Sequence, residues 1–162
     1  MAKPSGPFGT PIGVGARVTS QTVVVGPWGG PGGDAWDDGI HTGIQNIILQ
    51  FGDAVDSIQV DYDVNGDRSA RPHHGGSANR SEAIKLAPEE YIVKVSGYVG
   101  PFTGFPSDVI RSLTFTTNLK TYGPFGVEKG TPFSLPINRG LVVGFTGRSG
   151  RLLDAIGVRL SL

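Results

Sequence analysis

The chain is 162 residues long, enough for one domain with a real core, and its fourteen basic and fourteen acidic side chains cancel. That balance speaks against nucleic acid or an anionic membrane as a partner, and the lack of cysteine removes disulfides, thiolate metal sites and thiol nucleophiles. Twenty-six glycines and twelve prolines exclude a helical protein, because each costs a helix interior about 1 and about 3 kcal/mol respectively.

Residues 1–18 are rich in glycine and proline without periodicity, which predicts a flexible tail ahead of a single domain spanning residues 19–162. The same stretch lacks the apolar core of a signal peptide. No apolar run approaches the roughly 20 residues that span a bilayer, so a soluble, cytoplasmic protein is expected. The β-branched run at 21–25 reads as a strand entering a glycine loop at 26–33. Strands follow at 43–51 and 55–64, the second with Ile58, Val60, Tyr62 and Val64 alternating onto one face. Asn65-Gly66 supplies the pair of positive φ angles that a two-residue hairpin wants. Further strands are predicted at 82–86, 91–98, 111–117, 120–124, 131–135, 141–146 and 153–162, and no segment keeps a helical period beyond two turns. The class is all-β.

One signature recurs three times, as Gly52-Asp53-Ala54-Val55-Asp56, Ser107-Asp108-Val109-Ile110-Arg111 and Gly150-Arg151-Leu152-Leu153-Asp154. Each copy is a turn running into a strand, since apolar residues recur two apart after it: Ile58/Val60, Leu113/Phe115 and Ile156/Val158. A second element recurs as Gly26-Pro27-Trp28-Gly29-Gly30, Gly123-Pro124-Phe125-Gly126 and, degraded, Pro72-His73-His74-Gly75-Gly76. Three copies of a strand-and-turn unit imply one pseudo-threefold β domain. The first and last turns keep a carboxylate, whereas the middle one carries Arg111 there.

Several local patterns have plainer readings. Residues 61–67 match the first seven positions of a calcium loop, but Pro72 stands where the bidentate glutamate belongs and the flanks are strands, so a polar hairpin is the better account. His73 and His74 are adjacent and face opposite sides of a strand; with His41 the only other histidine, a metal site or catalytic triad is not expected, nor is any cofactor. Asn79-Arg80-Ser81 has the form of a glycosylation triplet and, without a secretory signal, reads as loop sequence. Trp28 and Trp36 could stack on a sugar ring, and read better as anchors of the glycine-rich loop.

The last turn carries the chemistry. A glycine at its head lets the chain bend so that successive backbone N–H groups point into one concavity, with the Asp154 carboxylate beside them. Donors together with a charged acceptor suit vicinal hydroxyls, which each give and take a hydrogen bond. Such a site binds one sugar weakly, on the order of millimolar. Gly33, closing the glycine loop, has no side chain to keep a ligand from its N–H.

Over nearly all of residues 19–162 the chain resembles the jacalin-related lectins of plants. The segments that carry the likeness include Val25-Gly26-Pro27-Trp28-Gly29, Asp37-Asp38-Gly39, Tyr62-Asp63-Val64-Asn65-Gly66, Val95-Ser96-Gly97-Tyr98, Arg111-Ser112-Leu113-Thr114-Phe115, Thr121-Tyr122-Gly123-Pro124-Phe125-Gly126 and Gly150 to Asp154. The resemblance implies a β-prism of three four-stranded Greek-key sheets, with a sugar held at one end by Gly33, the backbone of Arg151 and Leu152, and the Asp154 carboxylate. It implies that the carboxylate takes the 4- and 6-hydroxyls while the glycine amide reaches the 3-hydroxyl. Galactose binders of this family are cut just before the residue matching Gly33 and carry aromatics at the positions of Arg151 and Leu152. This chain has neither feature, so the resemblance implies mannose/glucose-type glycans, with a galactose-binding lectin as the alternative. A second sugar site is implied at Asp53, Ala54 and Asp56, with Asn79 about where a glycine would donate its amide; the Arg111 copy should be silent.

A glycoside hydrolase would need paired carboxylates flanking one bond at about 5 to 9.5 Å, whereas Asp56 and Asp154 belong to different repeats. No catalysis is expected. Weak single sites make a homo-oligomer useful, because linked sites gain avidity without new contacts, and the resemblance implies a dimer or tetramer. Loop residues 100–108 lie beside the site in relatives and are expected to set oligosaccharide choice.

Overall fold

The structure, a computed structural model, describes residues 21–162, so the tail expected at 1–18 and the domain start at Thr19 lie outside the described residues. In the first sheet Thr22–Gly29 (β1) pairs with Leu153–Ser161 (β13), which pairs with Leu141–Ser149 (β12) and through it with Asp34–Asp37 (β2). The second sheet runs Asp67–Ala70 (β5), Val55–Val64 (β4), Gly43–Phe51 (β3) and Arg80–Lys85 (β7), with His74–Gly75 (β6) also on β4. The third runs Thr121–Gly126 (β10), Val109–Thr117 (β9), Ile92–Gly100 (β8) and Thr131–Pro136 (β11). All pairings are antiparallel, and the three sheets enclose one core as a β-prism.

Three details differ from the sequence reading. The second sheet has five strands rather than four, because β5 pairs with residues 61–64 of β4 and β6 with Ser57 and Ile58 of the same strand. The two short strands share one edge position, separated around Pro72, which lacks the N–H that a ladder needs. The expected glycine loop begins only after Gly29, since β1 continues through Gly26-Pro27 by a bulge between Val25 and Trp28. Finally β2, Asp-Ala-Trp-Asp, was not expected; two aspartates argue against a strand, and it forms because β12 offers it an edge.

The alternation in β4 sets the core. Ile58, Val60 and Tyr62 have no exposed surface, and the pattern ends at Val64, 38 % exposed, where the hairpin begins. Asn65 and Gly66 sit at φ 52° and 95°, and Val64 pairs directly with Asp67, the two-residue turn that the sequence predicts. Leu113/Phe115 and Ile156/Val158 enter the same core from the other two sheets. Aromatic pairs link the sheets two by two: Phe115 meets Phe145 edge-on at 6.2 Å, Phe51 meets Phe125 at 5.4 Å, and Trp28 stacks on Phe133 at 5.2 Å.

One polar cluster also crosses between sheets. Tyr62 OH donates to Asp38 Oδ2 at 2.7 Å and accepts from the Phe145 N–H at 3.0 Å, while His74 Nε2 lies 2.7 Å from Asp38 Oδ1. Trp36 stacks on the His74 ring at 3.8 Å, so both tryptophans pack inside the protein's own framework. Burial, reinforced by the Asp38 charge, pushes the Tyr62 hydroxyl pKa far up and keeps it a donor. Tyr62→Phe should therefore cost about 2–3 kcal/mol in urea unfolding, because it strands a buried carboxylate oxygen and a buried amide at once.

Candidate functional site

The three signature turns meet at one end of the prism. Ala54, Val109 and Leu152, the third residue of each turn, form a small apolar cluster there with Phe102 and Phe105 packed on it. With its side chain spent on this contact, Leu152 offers a ligand only its main chain.

A repeated backbone contact seats each turn. Gly30 N–H donates to Asp154 O at 2.9 Å, Gly76 N–H to Asp56 O at 2.9 Å, and Val127 N–H to Arg111 O at 3.0 Å. One residue earlier in each copy, a Cβ on Gly29, Gly75 or Gly126 would overlap that same carbonyl oxygen, and all three glycines have positive φ. Inside the turns the likeness continues, with Gly150 N–H donating to Leu152 O at 3.0 Å and Gly52 N–H to Ala54 O at 2.9 Å.

At the last turn, the residues singled out from sequence come together. Asp154, the second residue of β13, is only 6 % exposed, covered by the glycine run: a Cβ on Gly32 would lie 2.6 Å from Asp154 Oδ1, and one on Gly33 2.6 Å from Oδ2. A Cβ on Gly150 would lie 3.6 Å from Gly33 Cα and 3.9 Å from Oδ2, so turn, loop and carboxylate share one spot. The N–H groups of Gly33, Arg151 and Leu152 find no acceptor among the described residues. Free donors thus surround one acid, in the pattern that a polyhydroxyl ligand matches. The Arg151 side chain points elsewhere, its guanidinium 4.6 Å from the centre of the Phe105 ring.

Arg148 is a contributor that the sequence did not signal. Its Nε donates to Gly32 O at 3.0 Å and its Nη2 to Gly33 O at 2.7 Å, which pins the glycine loop to β12. Burial raises the Asp154 pKa above the ordinary carboxylate value, with the Arg148 charge and the Gly150 N–H pulling the other way.

The other two copies diverge where the sequence does. Asp56 occupies the place of Asp154 but is only half-buried, and burial likewise raises its pKa. Three residues beyond Gly30, Gly76 and Val127 stand Gly33, Asn79 and Gly130, so the exposed Asn79 takes the place of Gly33 beside Asp53, Ala54 and Asp56. In the third copy Arg111 folds back: Nε and Nη2 donate to Asp53 O at 3.2 and 3.1 Å, and Nη1 to Pro101 O at 2.9 Å. Its guanidinium lies 5.0 Å from the centre of the Phe102 ring. That copy therefore presents no acceptor side chain.

A concavity of about 1030 Å³ lies elsewhere on the domain and contains none of these residues. It lies at the far end of the prism, where β12 begins at Leu141 and β4 runs through Asp63 to its end, and its lining includes the ion pair of Asp61 with Arg68 at 3.0 Å.

The model of the jacalin-like lectin domain matches residues 25–159. The chain belongs to the jacalin-like lectin family. Among relatives, jacalin-related lectin 19 of Arabidopsis thaliana is 51 % identical over 86 % of this chain and 81 % of its own length. A galactose-specific lectin of Morus indica is 47 % identical over 88 % of this chain and 94 % of its own. Among solved structures, a mannose-specific jacalin-related lectin from Morus nigra in complex with mannose superposes with a TM-score of 0.85 at 55 % identity, covering 91 % of this chain and 99 % of that one. Membership of this lectin family accounts for the prism and the threefold repeat.

The raised pKa has a testable sign. A folded-state pKa above the unfolded one means that ionised Asp154 opposes folding, with stability falling as pH rises through that interval and staying lower above it. Asp154→Asn should melt a few degrees higher than wild type at neutral pH, the shift that about 1 kcal/mol produces in a domain of this size. Calorimetry should show the gain vanish in acid, where wild type is also neutral at this position.

Proposed function

We propose that this lectin binds one mannose- or glucose-type pyranose at Gly33, Arg151, Leu152 and Asp154, without catalysis. The observation that carries the reading is the set of three amides without acceptors around one carboxylate. In this reading Asp154 accepts from the 4- and 6-hydroxyls, the Leu152 and Arg151 amides donate to the same edge of the ring, and the Gly33 amide reaches the 3-hydroxyl. Each hydrogen bond to the ionised group contributes about 1.5 to 3 kcal/mol. Two or three such bonds, less the cost of ordering the sugar, leave millimolar affinity.

Mannose/glucose preference draws support from the uninterrupted run Gly29-Gly30-Pro31-Gly32-Gly33, from the non-aromatic pair Arg151-Leu152 and from the mannose-bound Morus nigra relative. The galactose-specific relative, at 47 % identity, makes galactose the reading to test against. The turn at Asp53, Ala54 and Asp56 is a second candidate, and it differs in carrying Asn79, with a side chain, at the position that Gly33 holds in the last repeat. A dimer or tetramer would convert weak sites into avid ones for branched glycans.

Isothermal titration with the methyl α-glycosides of mannose, glucose and galactose tests this directly. The expected result is millimolar binding of the first two, near one site per chain, with galactose at least about tenfold weaker. Asp154→Asn should lower mannoside affinity more than about a hundredfold while the protein stays folded. Equal heats for the three glycosides, or an Asp154→Asn variant that still binds, would overturn the assignment.

A further inference from the structure

Gly76 lies in the second sheet's loop, two sheets' worth of sequence away from the last turn, and yet it touches both candidate turns. Its N–H donates to Asp56 O at 2.9 Å. On its other side a Cβ would overlap the Arg151 carbonyl oxygen and lie 3.1 Å from Arg151 C and 3.5 Å from Arg151 Cα. Its φ is outside the left-handed region, so backbone strain does not explain a glycine here. Close approach to Arg151 does.

The contact belongs to a ring around the end of the prism. Gly30 has the same relation to the Asp108 carbonyl, and the Asp53 carbonyl receives the Arg111 guanidinium instead. Each turn is thus propped by a neighbouring repeat through the carbonyl of its second residue. For the last turn that prop is Gly76.

Resting on the proposed sugar site, we propose that Gly76 is a positioning residue for it: by letting the second sheet seat directly under the Arg151–Leu152 peptide, it sets the direction of the Leu152 N–H. The link is the planarity of the peptide unit, in which the Arg151 carbonyl and the Leu152 amide move as one rigid group. A methyl group at Gly76 must push that carbonyl away, and a shift of roughly 0.5 Å spans the whole useful N–H···O range of about 2.7–3.2 Å. The donor turns away from the sugar although no ligand-touching atom has been changed.

The experiment compares Gly76→Ala with Gly97→Ala in the full chain. Gly97 is matched in kind: its φ is also ordinary, and a Cβ there would overlap the Ser112 carbonyl oxygen, in the third sheet and away from the last turn. Both variants should lose melting temperature. Only Gly76→Ala should raise the dissociation constant for methyl α-mannoside, by about three- to tenfold, the worth of one neutral hydrogen bond. Unchanged affinity in Gly76→Ala, or equal losses in the two variants, overturns the proposal. Absence of mannoside binding in wild type would overturn the sugar site itself, and the positioning role with it. A second measurement does not depend on the variant folding: in wild-type amide NMR spectra, mannoside should shift the Gly76 resonance together with that of Leu152. A Gly76 amide that stays still while Leu152 moves also overturns the role.

Discussion

The end of the prism depends on glycines lying flat against peptide carbonyls. Gly29, Gly75 and Gly126 each sit where a single Cβ would collide with the carbonyl of Asp154, Asp56 or Arg111, and the following amide then bonds that carbonyl. Main chain packed directly on main chain holds atoms more firmly than side-chain contacts do, because no rotamer can relax the fit. A turn held this way keeps its carbonyls engaged on the inside and its amides free on the outside. Binding capacity is therefore a by-product of how the sheets are closed.

Three copies of one scaffold then hold three different fillings. Where Asp154 lies beside Gly32 and Gly33, an acid is buried among amides, and the Arg148 charge and the Gly150 N–H offset only part of the burial cost. With Asp56 and Asn79, the acid is retained but its glycine neighbour is not. With Arg111 the charge is reversed and the side chain turns inward to brace the first turn at Asp53. The third filling braces the end of the prism at which the proposed sugar site lies, a division of labour that a repeat allows once its copies diverge.

The contrast with the Tyr62, Asp38 and His74 cluster is instructive. There a buried carboxylate has both oxygens engaged at 2.7 Å by groups from other strands, and the result is a fixed joint between sheets. At Asp154 the carboxylate is nearly as buried and far less engaged, which raises its pKa and leaves it in want of donors. Incomplete satisfaction of a buried charge is costly to the fold and is kept where a ligand can complete it. The two aspartates separate a structural role from the proposed recognition role by partner count.

Much of this was legible in the residues themselves. Alternation in β4, the Asn65-Gly66 turn, the threefold signature and its glycine partner all act over a few neighbouring positions, and local patterns of that kind determine strands, turns and the repeat. Gly33 and Asp154 could be paired through the repeat and the family likeness although they are far apart in the chain. Strand β2 could not be read, since a two-aspartate segment becomes a strand only when β12 supplies an edge; nor could the β5 and β6 pair that shares one position on β4. The grip of Arg148 on the glycine loop and the contact of Gly76 with Arg151 carry no local signature either. The chain's own pattern determined which groups are candidates for recognition, because residue chemistry is local; only the tertiary structure decided where those groups point, because direction is set by backbone contacts between segments distant in sequence.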